Sequence, residues 1–169
     1  MDSVPDQHRH EAPRMVQCAV VTVSDTRTLE TDTGGQTLVD RLTAAGHQVV
    51  FRQIIPDEPE PLRELLLALG GRGDIAAILI TGGTGLGSRD RTFETVSGLV
   101  DKPLPGYGEL FRMLSYEQVG PAAMLSRATG GLIGRTVILT MPGSPAAVRL
   151  ALDKLILPEL GHLVREASR

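Results

Sequence analysis

Short unbroken apolar runs alternate with longer periodic ones over the first half of the chain. "VQCAVVTV", residues 16–23, is nearly continuous and rich in β-branched side chains, the pattern of a strand covered on both faces. It stops at "SDTR". Gly34 and Gly35 then precede "QTLVDRLTAAG", in which Leu38, Leu42 and Ala45 recur at helical spacing before Gly46 ends the segment. "HQVVFRQIIPD" reads as a second strand stopped by Pro56, and "EPEPLRELLLALGG" as a helix that starts among prolines and acids and ends on two glycines. "DIAAILI" is a third strand. Farther on, "TFETVSGLV" and "YGELFRMLSYEQVG" carry helical patterns separated by "DKPLPG". "AMLSRATGGLIGRTVILTMPG" predicts two strands joined by a glycine turn as an antiparallel edge, and "SPAAVRLALDKLILPELGHLVREA" a long terminal helix bent near Pro158.

Strands alternating with helices at this rhythm predict right-handed crossovers, and so a mostly parallel sheet with helices on both faces. Ligands of such sheets bind beyond the C-terminal ends of the strands. Four notable loops fall on that rim. Ser24 and Asp25 follow the first strand, Asp57 the second, "TGGTGLGSRDRT" (residues 81–92) the third, and "PGSP" (Pro142–Pro145) the last.

Composition narrows the picture. With 169 residues the chain fits one domain, expected over residues 15–169 behind a disordered polar tail, residues 1–14, in which His8 and His10 are solvated. A hydrophobic share of 41% and a charged share of 22% are ordinary for a globular protein. Nineteen glycines and eleven prolines against three Phe, two Tyr and no Trp put the weight on turns, not aromatic anchors. A net charge of −3 argues against a nucleic-acid partner, which calls for a basic excess and stacking aromatics. Cys18 is the only cysteine, so no intrachain disulfide forms. Neither a secretory signal nor a bilayer-length apolar run is legible, so the expected setting is the cytoplasm, without a membrane partner.

The loop at residues 81–92 sets bare backbone beside charge. Glycines let main-chain N–H groups approach a ligand and tolerate positive φ. Gly82 to Gly87 has the spacing of a P-loop, but Ser88 and Arg89 stand where Lys and Ser/Thr are required. The dinucleotide fingerprint also fails, because the glycines follow the third strand and break its pattern. Carboxylates beside an anion-binding loop repel the ligand unless a cation intervenes, and Mg²⁺ commonly uses one or two carboxylates plus substrate phosphates. Asp57 and Asp90, ending adjacent strand–loop units, are the candidate pair. Arg89, Arg91 and Arg127 are candidates to offset phosphate charge, and Glu109 in "PGYGEL" for a further polar contact. Two readings stand for the weaker signals. Asp25 and Asp57 also suit ordinary turns, Ser144–Pro145 an ordinary helix start, and Glu109 a solvated first-turn acid.

"TGGTG" followed by "RD", then "LPGYGE", "LSRA" and "MPGSP" in that order, resembles the MoaB/Mog family of molybdenum-cofactor biosynthesis, the molybdopterin adenylyltransferase-like domains. The resemblance runs from about Val16 to about Val164. It implies a three-layer α/β/α domain assembled as a homotrimer or homohexamer. It also implies molybdopterin and Mg-ATP as substrates, converted to adenylyl-molybdopterin and pyrophosphate. The family's two essential, metal-holding aspartates fall on Asp57 and Asp90. Its pterin and nucleotide contacts fall on Ser24, Asp25, Thr81, Gly82, Gly83, Thr84, Gly85, Ser126, Gly143 and Ser144, with Pro142 in the same "PGSP". Where family loops read "RDVTPE", this chain has "RDRTFE", so Arg91 replaces an apolar residue and Phe93 a proline. "PGSP" resembles the MoaB branch. A non-catalytic molybdopterin-binding or assembly protein of the same fold is the rival expectation.

Overall fold

A computed structural model describes residues 12–169; of the expected tail, residues 1–11 lie outside the described residues. In chain order the elements are β1 (Gln17–Val23), α1 (Thr33–Ala44), β2 (Gln48–Ile55), α2 (Pro59–Gly70), β3 (Ala77–Thr81), α3 (Thr92–Ser97), β4 (Lys102–Pro103) and α4 (Pro105–Val119). A 3₁₀ turn (Gly120–Leu125), β5 (Gly130–Ile133), β6 (Thr136–Met141), α5 (Pro145–Ala151), a π turn (Leu152–Ile156) and α6 (Leu157–Ala167) complete the chain. The sheet order is β2-β1-β3-β6-β5-β4, with β2, β1, β3 and β6 parallel and β5 and β4 antiparallel to their neighbours.

The unbroken apolar runs become the central strands because both of their faces are covered. Alternate side chains go to opposite layers. Cys18, Val20, Leu79, Leu139 and Met141 pack with Leu38 and Leu42 of α1, Phe111 of α4, and the α5–α6 segment. Ala19, Val21, Val23, Ile78, Ile80 and Ile138 pack with Leu62, Leu66 and Leu69 of α2 and Val96 of α3. The result is the expected three-layer α/β/α sandwich with an antiparallel edge. At roughly 1.5–3 kcal/mol for each large apolar side chain fully buried, the three α2 leucines contribute to seating that helix on the sheet.

Some details refine or depart from the sequence pattern. Helix α1 begins at Thr33, ahead of the glycine pair, because Asp32 caps it through a bond from Gly35 N (2.9 Å). That carboxylate also accepts from Thr22 Oγ1 (2.8 Å) and Arg52 Nη2 (3.2 Å), so a side chain at position 35 would collide with it. "AML" of the predicted hairpin forms the 3₁₀ turn instead, and the two-residue β4 joins the edge. The terminal helix distorts through the π turn ahead of Pro158, whose missing N–H removes the bond to the preceding turn. Strand β1 lies between β2 and β3, so the strands leading to Asp57 and Asp90 are not neighbours.

Candidate functional site

Strand β3 delivers the glycine loop to the rim, and the loop after β6 meets it there. The buried Thr81 hydroxyl donates to the Pro142 carbonyl (3.2 Å), and Gly82 N donates to the Met141 carbonyl (3.0 Å). Gly82 and Gly83 have φ of 98° and 63°, a region L side chains avoid. At Gly83 the surroundings also forbid a side chain. A Cβ there would collide with Thr92 Oγ1 and lie 3.1 Å from both Asp57 carboxylate oxygens. Thr92 N donates to the Gly83 carbonyl (3.0 Å), so the first residue of α3 docks on the loop.

Between these loops and α4 opens a cleft of about 480 Å³. Its polar rim comprises Gly82, Gly83, Thr84, Gly85, Asp90, Ser126, Pro142, Gly143 and Ser144. Its wall is formed by Phe111, Ser115, Gln118 and Val119 of α4, Leu125 of the 3₁₀ turn, and Ala147 and Leu150 of α5. An apolar wall with a few convergent polar groups suits a small organic ligand. Behind Gly82 and Gly143 lies a second hollow of about 410 Å³, lined also by Ser24, Arg27, Thr33, Gly34 and Ser144. Ser144 caps α5, its Oγ accepting from Ala147 N (3.2 Å).

The two candidate carboxylates converge on the glycine loop although β1 separates their strands. Asp90 Oδ2 accepts from Gly87 N (2.9 Å), and the carboxylate lies against Gly85 and Gly87. Asp57 Oδ1 accepts from Arg91 N (3.3 Å). Partial burial, reinforced by the Asp90 and Asp25 charges and opposed by the Arg91 N–H, pushes the Asp57 carboxyl above the usual carboxylate range. Asp25 and Arg89, both candidate ligand contacts, bind each other: Arg89 Nε and Nη2 donate to the Asp25 carboxylate at 2.7 and 3.0 Å. Asp25 Oδ1 also accepts from Asp57 N (3.0 Å). The Arg89 bond first, then the Asp57 N–H, holds the Asp25 carboxyl low. The loops after β1, β2 and β3 are thereby latched together.

The donor set suits Mg²⁺. Asp57 and Asp90 each keep a carboxylate oxygen clear of these backbone bonds. Among the described residues no group of three or more His, Cys, Asp or Glu side chains is arranged to hold a metal. Mg²⁺ commonly takes only one or two protein carboxylates, with water and substrate oxygens completing its shell.

The remaining candidates lie around this centre. Ser126 lines the cleft, and its Oγ accepts from Ala128 N (3.4 Å). Ser24 Oγ accepts from Thr26 N and Arg27 N, closing the turn after β1. Arg91 is exposed at the N-cap of α3, and Glu109 is exposed on α4 away from the cleft lining. Arg127 does not line the cleft. Its Nη2 donates to the Asp90 carbonyl (2.6 Å), its Nη1 pairs with Glu94, and its guanidinium sits 5.5 Å above the Phe93 ring. Sequence reading missed the α4 wall and Glu94. The wall's signal was the apolar spacing within "FRMLSYEQV", which served only to assign a helix.

An open, mostly parallel sheet with a glycine loop, two carboxylates and an apolar cleft on its C-terminal rim defines a small-molecule-binding α/β domain. The chain belongs to the molybdenum cofactor biosynthesis family described as the probable molybdopterin binding domain, which matches residues 19–162. It is 52% identical over 164 residues to the molybdenum cofactor biosynthesis protein B of Bacillus cereus, covering 96% of this chain and 97% of that protein. With the Bacillus subtilis protein B it shares 49% identity over 164 residues, 96% of each. A crystal structure of a molybdenum cofactor biosynthesis protein B superposes with a TM-score of 0.90 at 53% identity, covering 94% of this chain and 99% of that one. The tungsten cofactor synthesizing protein MoaB of Pyrococcus furiosus superposes with a TM-score of 0.81 at 35% identity, covering 94% and 100%.

Proposed function

We propose that the protein adenylylates molybdopterin with Mg-ATP, forming adenylyl-molybdopterin and pyrophosphate in molybdenum cofactor biosynthesis. The observation that carries this reading is the convergence of Asp57 and Asp90 on the glycine loop, Asp90 lining the cleft and Asp57 lying against Gly83. In this reaction a phosphate oxygen of molybdopterin attacks the α-phosphorus of ATP. The α–β bridging bond breaks, and pyrophosphate leaves with its electron pair.

The chain's residues bind, orient and neutralise; no side-chain nucleophile is needed. Backbone N–H groups of Gly83 to Gly85 would meet the phosphates, that of Gly82 being taken by the Met141 carbonyl, and the α4 wall would hold the pterin. Asp57 and Asp90 would hold Mg²⁺, whose charge offsets that of the phosphoryl oxygens when bound. Cytoplasmic action follows from these substrates; no helix among the described residues is long and apolar enough to cross a membrane. We also propose a closed homotrimer or homohexamer, supported by the exposed apolar face formed by Leu110, Met113, Tyr116 and Val119 of α4 with Met124 and Leu125.

The test is pyrophosphate release from ATP, with and without molybdopterin. Release that requires molybdopterin and Mg²⁺ is the expected result. Tight molybdopterin binding without release would establish the non-catalytic binding protein instead.

A further inference from the structure

One peptide group links the two carboxylates. The Asp90 carbonyl accepts from Arg127 Nη2 at 2.6 Å, while the Arg91 N–H of the same peptide donates to Asp57 Oδ1 at 3.3 Å. In a trans peptide the carbonyl and the N–H point in opposite directions. The Asp90–Arg91 unit is therefore strung between Arg127 on one side and Asp57 on the other, and the Asp90 side chain leaves its Cα at the edge of that unit. Arg127 is itself held: Glu94 takes one arm of the fork, the Phe93 ring supports the plane, and the side chain is only 21% exposed. Of the three groups that fix it, Phe93 and Glu94 lie in the first turn of α3 and Asp90 immediately precedes that helix's N-cap, Arg91.

We propose that Arg127 is a positioning residue for adenylyl transfer, fixing the Asp90–Arg91 peptide, and through it both carboxylates, without contacting the phosphates itself. This rests on the adenylyl-transfer reading above. Arginine suits the task because a planar fork can grip a carbonyl and a carboxylate at once while lying on a ring, which a lysine ammonium cannot do. The bond to the carbonyl also polarises the peptide and strengthens its N–H as a donor to Asp57. The chain's departure at Phe93 acquires a role here, since a proline would give Arg127 no aromatic platform.

The experiment compares wild type, Arg127→Lys and the milder Phe93→Leu. Amide hydrogen exchange at Arg91 is read by NMR, Mn²⁺ binding to the protein–ATP complex by electron paramagnetic resonance, and molybdopterin affinity by fluorescence. The adenylyl-transfer kcat and the KM for ATP complete the set. In Arg127→Lys, Arg91 exchange should accelerate about tenfold while β3 amides keep their protection. Mn²⁺ affinity and kcat should fall by about ten- to a hundredfold, as for other groups that orient metal ligands. Molybdopterin affinity and the KM for ATP should stay within about twofold. Phe93→Leu should move the same quantities in the same direction by less, which keeps the test decisive if Arg127→Lys folds poorly.

Unchanged Arg91 exchange in both variants would overturn the proposal. So would a loss confined to molybdopterin affinity or the KM for ATP with Mn²⁺ binding intact, because Arg127 would then be a direct phosphate ligand. If wild type transferred no adenylyl group while exchange and Mn²⁺ binding behaved as stated, the positioning role would stand and the adenylyl-transfer reading would fall.

Discussion

Asp57 works against its own stability. Burial first, then the nearby Asp90 and Asp25 charges, keeps its carboxyl above the usual carboxylate range despite the Arg91 N–H. The folded chain therefore binds that proton more tightly than the unfolded chain does. Stability falls as pH rises from the unfolded value through the raised folded one, and the cost is fully present above it. Asp57→Asn removes the charge but leaves an oxygen for the Arg91 N–H. Its ligand-free melting temperature at pH 7 should exceed that of wild type, on the order of a degree or two once solvent screening is allowed for. The difference should vanish on acidification below the ordinary carboxylate range. Scanning calorimetry at several pH values checks this, and a lower melting temperature at pH 7 would show that the charge is compensated in the free protein.

Periodicity carried the central elements well, because β1, β3 and β6 are covered on both sides and their apolar runs admit few other readings. Elements whose form depends on distant partners were less legible. The two-residue β4 exists only through its pairing with β5, and nothing in "DKPLPG" announces it. The glycine pair inside α1 reads locally as a breaker. It is admitted by Asp32, which reaches Gly35, Thr22 and Arg52 from a side chain only 3% exposed. The site divides in the same way. The rim residues stand in contiguous motifs, whereas the α4 wall and the Arg127–Glu94 pair join segments some thirty residues apart. Asp32 offers an element-level test. Asp32→Ala removes a helix cap and strands a partly buried arginine, so equilibrium urea unfolding should show a loss of roughly 3 kcal/mol. A loss below about 1 kcal/mol would mean that water replaces the carboxylate.

Among the described residues, exposed apolar side chains of α4 and the 3₁₀ turn gather beside the cleft. Met113, Tyr116 and Val119 of α4 and Met124 of the 3₁₀ turn are more than half exposed, and Val119 also lines the cleft wall. A closed assembly covering this face would bury it while leaving the glycine rim open to substrates. Light scattering at micromolar concentration should give three or six times the 18.1 kDa of one chain. The pair Met113→Glu and Tyr116→Glu should shift the mass towards the monomer, and an unchanged mass would place the interface elsewhere.

Adenylyl transfer through the paired carboxylates is tested most directly by turnover in a mutant cycle: wild type, Asp57→Asn, Asp90→Asn and the double variant, each also measured for molybdopterin affinity. Each single variant should lose on the order of 100-fold or more in turnover while still binding molybdopterin, and the double should be barely worse than either, as expected of two groups that act as one unit. Normal turnover by Asp90→Asn, or losses that multiply in the double variant, would contradict it.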